Sequence, residues 1–108
     1  MRCSMLLRVG ALGMTLVGAG AAQAAGEAAQ GEVKAQQCMG CHAIGGYTNA
    51  YPNYHVPRVG GQEPDYIVSA LKAYASGARA HRTMRAQAAT LTQQDMEDIA
   101  AFFSGRSE

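Results

Sequence analysis

Cys38, Cys41 and His42 form the segment Cys38-Met39-Gly40-Cys41-His42, a Cys-x-x-Cys-His motif. Two thiols three positions apart can add across the two vinyl groups of one haem, and the next residue places an imidazole under the iron. A bare Cys-x-x-Cys pair also serves as a redox disulfide or as half of a zinc site. Neither suits this chain, which has no second Cys pair and no βαβ pattern. His55 and His81 are the other histidines, and neither has the spacing of a zinc finger. The chemistry indicated is covalent haem attachment.

The elements that must position this motif read as helices. A stretch rich in Ala, Gln and Glu, residues 27–37, has strong helix propensity and leads into Cys38. A second helix is expected to begin at Pro64, suited to a first turn, and to stop before Gly77, suited to a C-terminal cap. Ile67, Leu71 and Tyr74 give it one apolar face. A last helix opens at Thr92, with Asp95 three residues on as a short capping box, and stops at Gly105. Met96, Ile99 and Phe103 line one of its faces, with Phe102 beside them. Residues 43–62 are broken repeatedly by Gly45-Gly46, Gly60-Gly61, Pro52 and Pro57, and are expected to be a long irregular loop. Such a loop belongs in a compact domain when it wraps something functional. No alternating segment reads as a strand, so the fold class is all-α: about three main helices and a long loop around one haem.

Composition points the same way. The chain has 108 residues, 48% of them hydrophobic, with a net charge of +1. That length allows one domain, and the charge gives no case for nucleic acid as a partner. Arg2 and Arg8 precede or open an uncharged Gly/Ala-rich stretch, residues 9–22, that ends in Ala22-Gln23-Ala24. These are the parts of a signal peptide, with cleavage expected after Ala24 and export to the periplasm. The uncharged stretch is shorter than the ~20 apolar residues a membrane span needs, so residues 25–108 are expected to be a domain without a span. That domain has only eleven Leu, Ile, Val and Phe residues against sixteen Ala. A chain of this size and composition needs a cofactor or other staple to complete its core.

Residues 27–105 resemble the small class I cytochromes c of bacteria. Beyond the haem motif, Gly31 lies seven residues before Cys38, where the family has a glycine at the crossing of its first and last helices. Phe102 matches the aromatic partner on the last helix, and Pro57-Arg58-Val59-Gly60-Gly61-Gln62 resembles the family's Pro-x-Leu-x-Gly-Gln segment. Tyr66, Leu71, Gly77 and Arg79 follow its next helix and exit. The resemblance implies thioethers from Cys38 and Cys41, His42 as proximal ligand, and a Pro57 carbonyl bonded to the other ring nitrogen of His42. That bond fixes the imidazole tautomer and raises its basicity. The family has a Met on the other face of the haem, and Met84, in the irregular stretch after the middle helix, matches it. Met39 lies between the two attached Cys, and Met96 belongs to the last helix's apolar stripe. His55 or His81 as the distal ligand would give a bis-His haem of lower potential.

The resemblance implies a haem c protein that carries single electrons between redox partner proteins. The alternatives are a haem subunit of a larger dehydrogenase or oxidase complex, and a haem enzyme or gas sensor with a labile distal ligand. With both axial positions taken and no Ser-His-Asp or paired-carboxylate arrangement, the chain is not expected to be an enzyme or to bind a small-molecule substrate. Asp95, Glu97 and Asp98 read as acidic first turns complementing a helix dipole. Arg58, Lys72, Arg79, Arg82 and Arg85 make residues 58–85 locally basic. They would steer the protein to an acidic patch on a partner, or neutralise the haem propionates.

Overall fold

The computed structural model describes residues 26–107. The expected leader, residues 1–24, lies outside the described residues. Five helices and one small hairpin follow in order: α1 (Ala28–Lys34), α2 (Gln36–His42), β1 (Thr48–Ala50), β2 (Asn53–His55), α3 (Pro64–Ser76), α4 (Arg82–Ala88) and α5 (Gln93–Ser104). The all-α reading holds, and three details differ from the expectation. The first helix does not end near Gln37. It tightens at Ala35, whose carbonyl accepts from both Cys38 N (2.8 Å) and Met39 N (3.0 Å), and continues to His42. Such shared acceptors mark a local 3₁₀ turn. The expected irregular loop contains the antiparallel pair β1·β2, with Thr48 opposite His55 and Ala50 opposite Asn53. Met84 lies on a helix, α4, rather than in irregular chain.

The best-patterned helices form as their end signals dictate. α3 starts with Pro64 and closes at Gly77, whose φ of 83° is a left-handed conformation that glycine adopts without strain. In α5 the Thr92 hydroxyl accepts from Asp95 N (3.1 Å), and Thr92 N donates back to Asp95 Oδ2 (2.9 Å). This is the complete capping box.

The core lies mainly between α3 and α5. Ile67 and Leu71 of α3 pack with Met96, Ile99, Ala100 and Phe103 of α5, and with Ala35 and Ala88. Met96 is thereby a packing residue. α1 and α5 cross closely because Gly31 has no side chain: a Cβ there would overlap the Asp98 carbonyl and come within 2.8 Å of Phe102 Cβ. Gly26 is pressed against the backbone of Glu97 and Asp98 in the same way.

A polar hub locks this crossing. Asp98, expected from the sequence to be a first-turn acid complementing the helix dipole, is buried, 2% exposed. Its carboxylate accepts from Glu27 N (2.8 Å), Gln94 Nε2 (2.9 Å) and the Lys34 ammonium, which also pairs with Asp95 at 2.8 Å. Buried acceptors are tolerated when so satisfied. The Lys34 ammonium and the Thr92 amide and hydroxyl hold the Asp95 carboxyl down to about 2. The same ammonium and the Glu27 and Gln94 donors hold Asp98 below the usual carboxylate range. Because both folded-state values are lowered, the stability they supply is full above the unfolded value of 3.8 and is lost as pH falls from there towards about 2. Lys34→Met is therefore expected to lower Tm by several degrees at neutral pH, with the gap to wild type narrowing below about pH 4. Thermal unfolding from pH 7 to 2 checks this, and a gap that stays constant would place the stabilisation elsewhere.

Candidate functional site

One cleft of about 430 Å³ collects the residues singled out by their chemistry. Cys38, Cys41 and His42 of α2 line it, as does Met84 of α4, together with Val56, Pro57, Val59, Ile67, Leu71 and Tyr74. Residues from two distant parts of the chain are thus brought to one mostly apolar space, while Met39 and Met96 are not among its lining residues.

Two elements hold the functional side chains: α2 carries Cys38, Cys41 and His42, and α4 carries Met84. Cys38 and Cys41 lie one helical turn apart on α2, and both are free thiols. Burial pushes the Cys38 thiol up, and the neighbouring Cys41 adds to the effect. His42 ends α2, and its Nδ1 donates to the Pro57 carbonyl at 2.7 Å. With the proton on Nδ1, the Nε2 lone pair is left available to a metal.

Met84 sits in the first turn of α4, and its backbone N–H donates to His81 Nδ1 at 3.2 Å. His81 is thus the N-cap of α4. An Nδ1 that accepts leaves the proton on Nε2, so the ring in this tautomer offers no lone pair to a metal. His81 is half-buried rather than fully exposed. His55 lines the cleft, and its Nδ1 is 3.4 Å from Thr48 Oγ1 across the hairpin.

Two basic residues of the expected positive segment, Arg58 and Arg79, line the cleft. Arg79 is held by the Tyr66 hydroxyl at 3.4 Å and stacks on the Tyr74 ring at 4.7 Å. Lys72, Arg82 and Arg85 are exposed.

These residues fit a haem and do not fit a bare ion. Among the described residues no group of three or more His, Cys, Asp or Glu could hold a metal by itself. One imidazole and one thioether leave most of an iron's coordination positions open, and a macrocycle would fill them. The apolar cleft wall suits such a ring, and the free thiol pair suits its attachment. The sequence missed the hairpin, the His81 cap and the Asp98 hub. For the cap no standard signal exists, because histidine is outside the usual N-cap set.

The comparisons with known proteins agree. The family model described as Cytochrome c matches residues 27–106. Cytochrome c4 of Pseudomonas aeruginosa is 36% identical over 103 residues, covering 95% of this chain and 46% of that protein. Cytochrome c-554(548) of Halomonas halodenitrificans is 39% identical over 85 residues, covering 76% of this chain and 99% of that protein. The solved structure of cytochrome c4 from Acidithiobacillus ferrooxidans superposes with a TM-score of 0.57 at 30% identity, covering 75% of this chain and 51% of that one. The chain spans about half the length of the cytochrome c4 relatives it matches. No helix of the described residues is long and apolar enough to cross a membrane.

Proposed function

Because the chain belongs to the cytochrome c family, we propose that it is a periplasmic one-electron carrier, exported by residues 1–24, with a single haem c joined to Cys38 and Cys41 and ligated by His42 and Met84. The observation that carries this reading is the convergence of those four residues on one apolar cleft. When bound, the haem iron of this family supplies reversible one-electron chemistry.

The chain's own residues prepare the site for that role. The Pro57 carbonyl orients His42 and keeps its proton on Nδ1, which raises the basicity of the ligating nitrogen. The Met84 thioether opposes a nitrogen donor with a weaker, softer one, a pairing that raises reduction potential. Val56, Ile67 and Leu71 are buried apolar residues of the cleft and keep water from that part of the site. With His42 and Met84 both ligating, a bound iron would have no position left for a substrate and would favour electron exchange through the cleft edge. Arg58 and Arg79 at the cleft, with exposed Lys72, Arg82 and Arg85, offer a basic surface to an acidic redox partner.

A redox titration followed by visible spectroscopy tests haem, ligand set and carrier role together. The oxidised protein is expected to show the weak red charge-transfer band of Met sulfur on ferric iron, and Met84→Ala is expected to abolish it. Persistence of the band in that variant would remove Met84 from the site. Carbon monoxide binding to the reduced wild type at neutral pH would favour an open-site haem enzyme or sensor instead.

A further inference from the structure

Like α2, which ends at His42, the helix that carries Met84 is short. α4 has seven residues, too few to be stable without caps and tertiary contacts. The side chains around its first turn are unusually well tied. His81, extended at φ −164° and ψ 108°, precedes the helix, and its Nδ1 takes the Met84 amide proton at 3.2 Å. The imidazole is gripped edge-on by two aromatic rings, Tyr54 of β2 at 4.6 Å and Tyr74 of α3 at 6.1 Å. Tyr54 also donates its hydroxyl to Thr83 Oγ1 at 3.1 Å, next to Met84 in the chain.

Ser, Thr, Asp and Asn all cap helices better than most residues do. What histidine adds is a ring that neighbouring elements can clamp. The cap of α4 is therefore fixed to the hairpin and to α3, and through it the backbone of Met84 is fixed to both.

We infer that His81 and Tyr54 are positioning residues for Met84: the hold of the thioether on the iron is set by a clamped N-cap as well as by the side chain itself. The inference rests on Met84 being the distal ligand. It gives the hairpin a purpose, since β2 carries the tyrosine that reaches across to α4. Any ligand that displaces Met84 must move the first turn of α4, so a weakened cap makes displacement easier by the same factor.

The probe is imidazole, titrated into the oxidised holoprotein and followed by loss of the Met–iron band. His81→Ala is expected to bind imidazole about 5-fold tighter than wild type, the scale of a lost N-cap. Tyr54→Phe, which removes only the hydroxyl, is expected to bind about 2-fold tighter. His81→Asn restores an acceptor at the cap and is expected to return most of the way to the wild-type value. A purely structural role would lower Tm in His81→Ala and leave imidazole affinity unchanged, which overturns the inference. So does a His81→Asn protein as easily displaced as His81→Ala. A wild type without the band sinks the Met84 assignment along with the inference. A band that Met84→Ala removes, in a protein whose imidazole affinity ignores His81 and Tyr54, sinks the inference alone.

Discussion

Replacing both proposed attachment residues, Cys38→Ala with Cys41→Ala, is expected to leave residues 25–108 largely unfolded by far-UV circular dichroism. The core explains why. Among the described residues, three of its nine buried apolar residues are alanine, and Ile99 is the one large side chain below 2% exposure. Ile67 and Leu71 face both this core and the cleft. Without the haem, about 430 Å³ of mostly apolar space must either flood or collapse. Flooding wets Val56, Ile67 and Leu71, each worth ~1.5–3 kcal/mol when buried. That total rivals the whole stability of a domain this size. A cooperative, native-like apo form of the double variant would show that the polypeptide core suffices alone.

The second large effect is expected at the crossing of the terminal helices. Gly31→Val places a branched side chain where even a single Cβ overlaps the Asp98 carbonyl. Backbone cannot rotate away as a side chain can, so α1 and α5 must separate and the Asp98 hub with them. Overpacking of this kind costs about 3 kcal/mol or more, which for a domain of this size is on the order of 10–20 °C in Tm. Gly40→Ala is the control: nothing lies within 4 Å of the added Cβ, and alanine suits the helix interior better. Its Tm is expected to hold or rise slightly. Equal losses in the two variants, measured by thermal unfolding of the holoprotein, would refute the close-crossing argument.

Legibility in the sequence followed the strength of local signals. α3 and α5 could be read because Pro64, Gly77, Thr92 and Asp95 mark their ends and because Ile67, Leu71, Ile99 and Phe103 recur at helical spacing. The thiols and His42 were legible as a contiguous motif, and Met84 by its resemblance to a family position. The hairpin was not, since β1 and β2 are three residues each, largely exposed and set among Gly and Pro. α4 was hidden for a similar reason: Arg82–Ala88 buries one residue, Ala88, and so shows no stripe. Asp98 misled because local reading sees an acid in an acidic helix start. Its true partners, Glu27 and Lys34, are far away in the chain.

That distance bears on how the protein is made. Glu27 and Asp98 are 71 positions apart, and α1 meets little else besides α5. The α1 segment therefore waits for its partner until the α5 segment is free to fold against it. Closing so long a loop is slow relative to local helix formation. Through that interval Cys38 and Cys41 are not yet enclosed by the finished fold. The molecule thus carries its own timetable: α2 forms locally and early, and the α1–α5 crossing comes last.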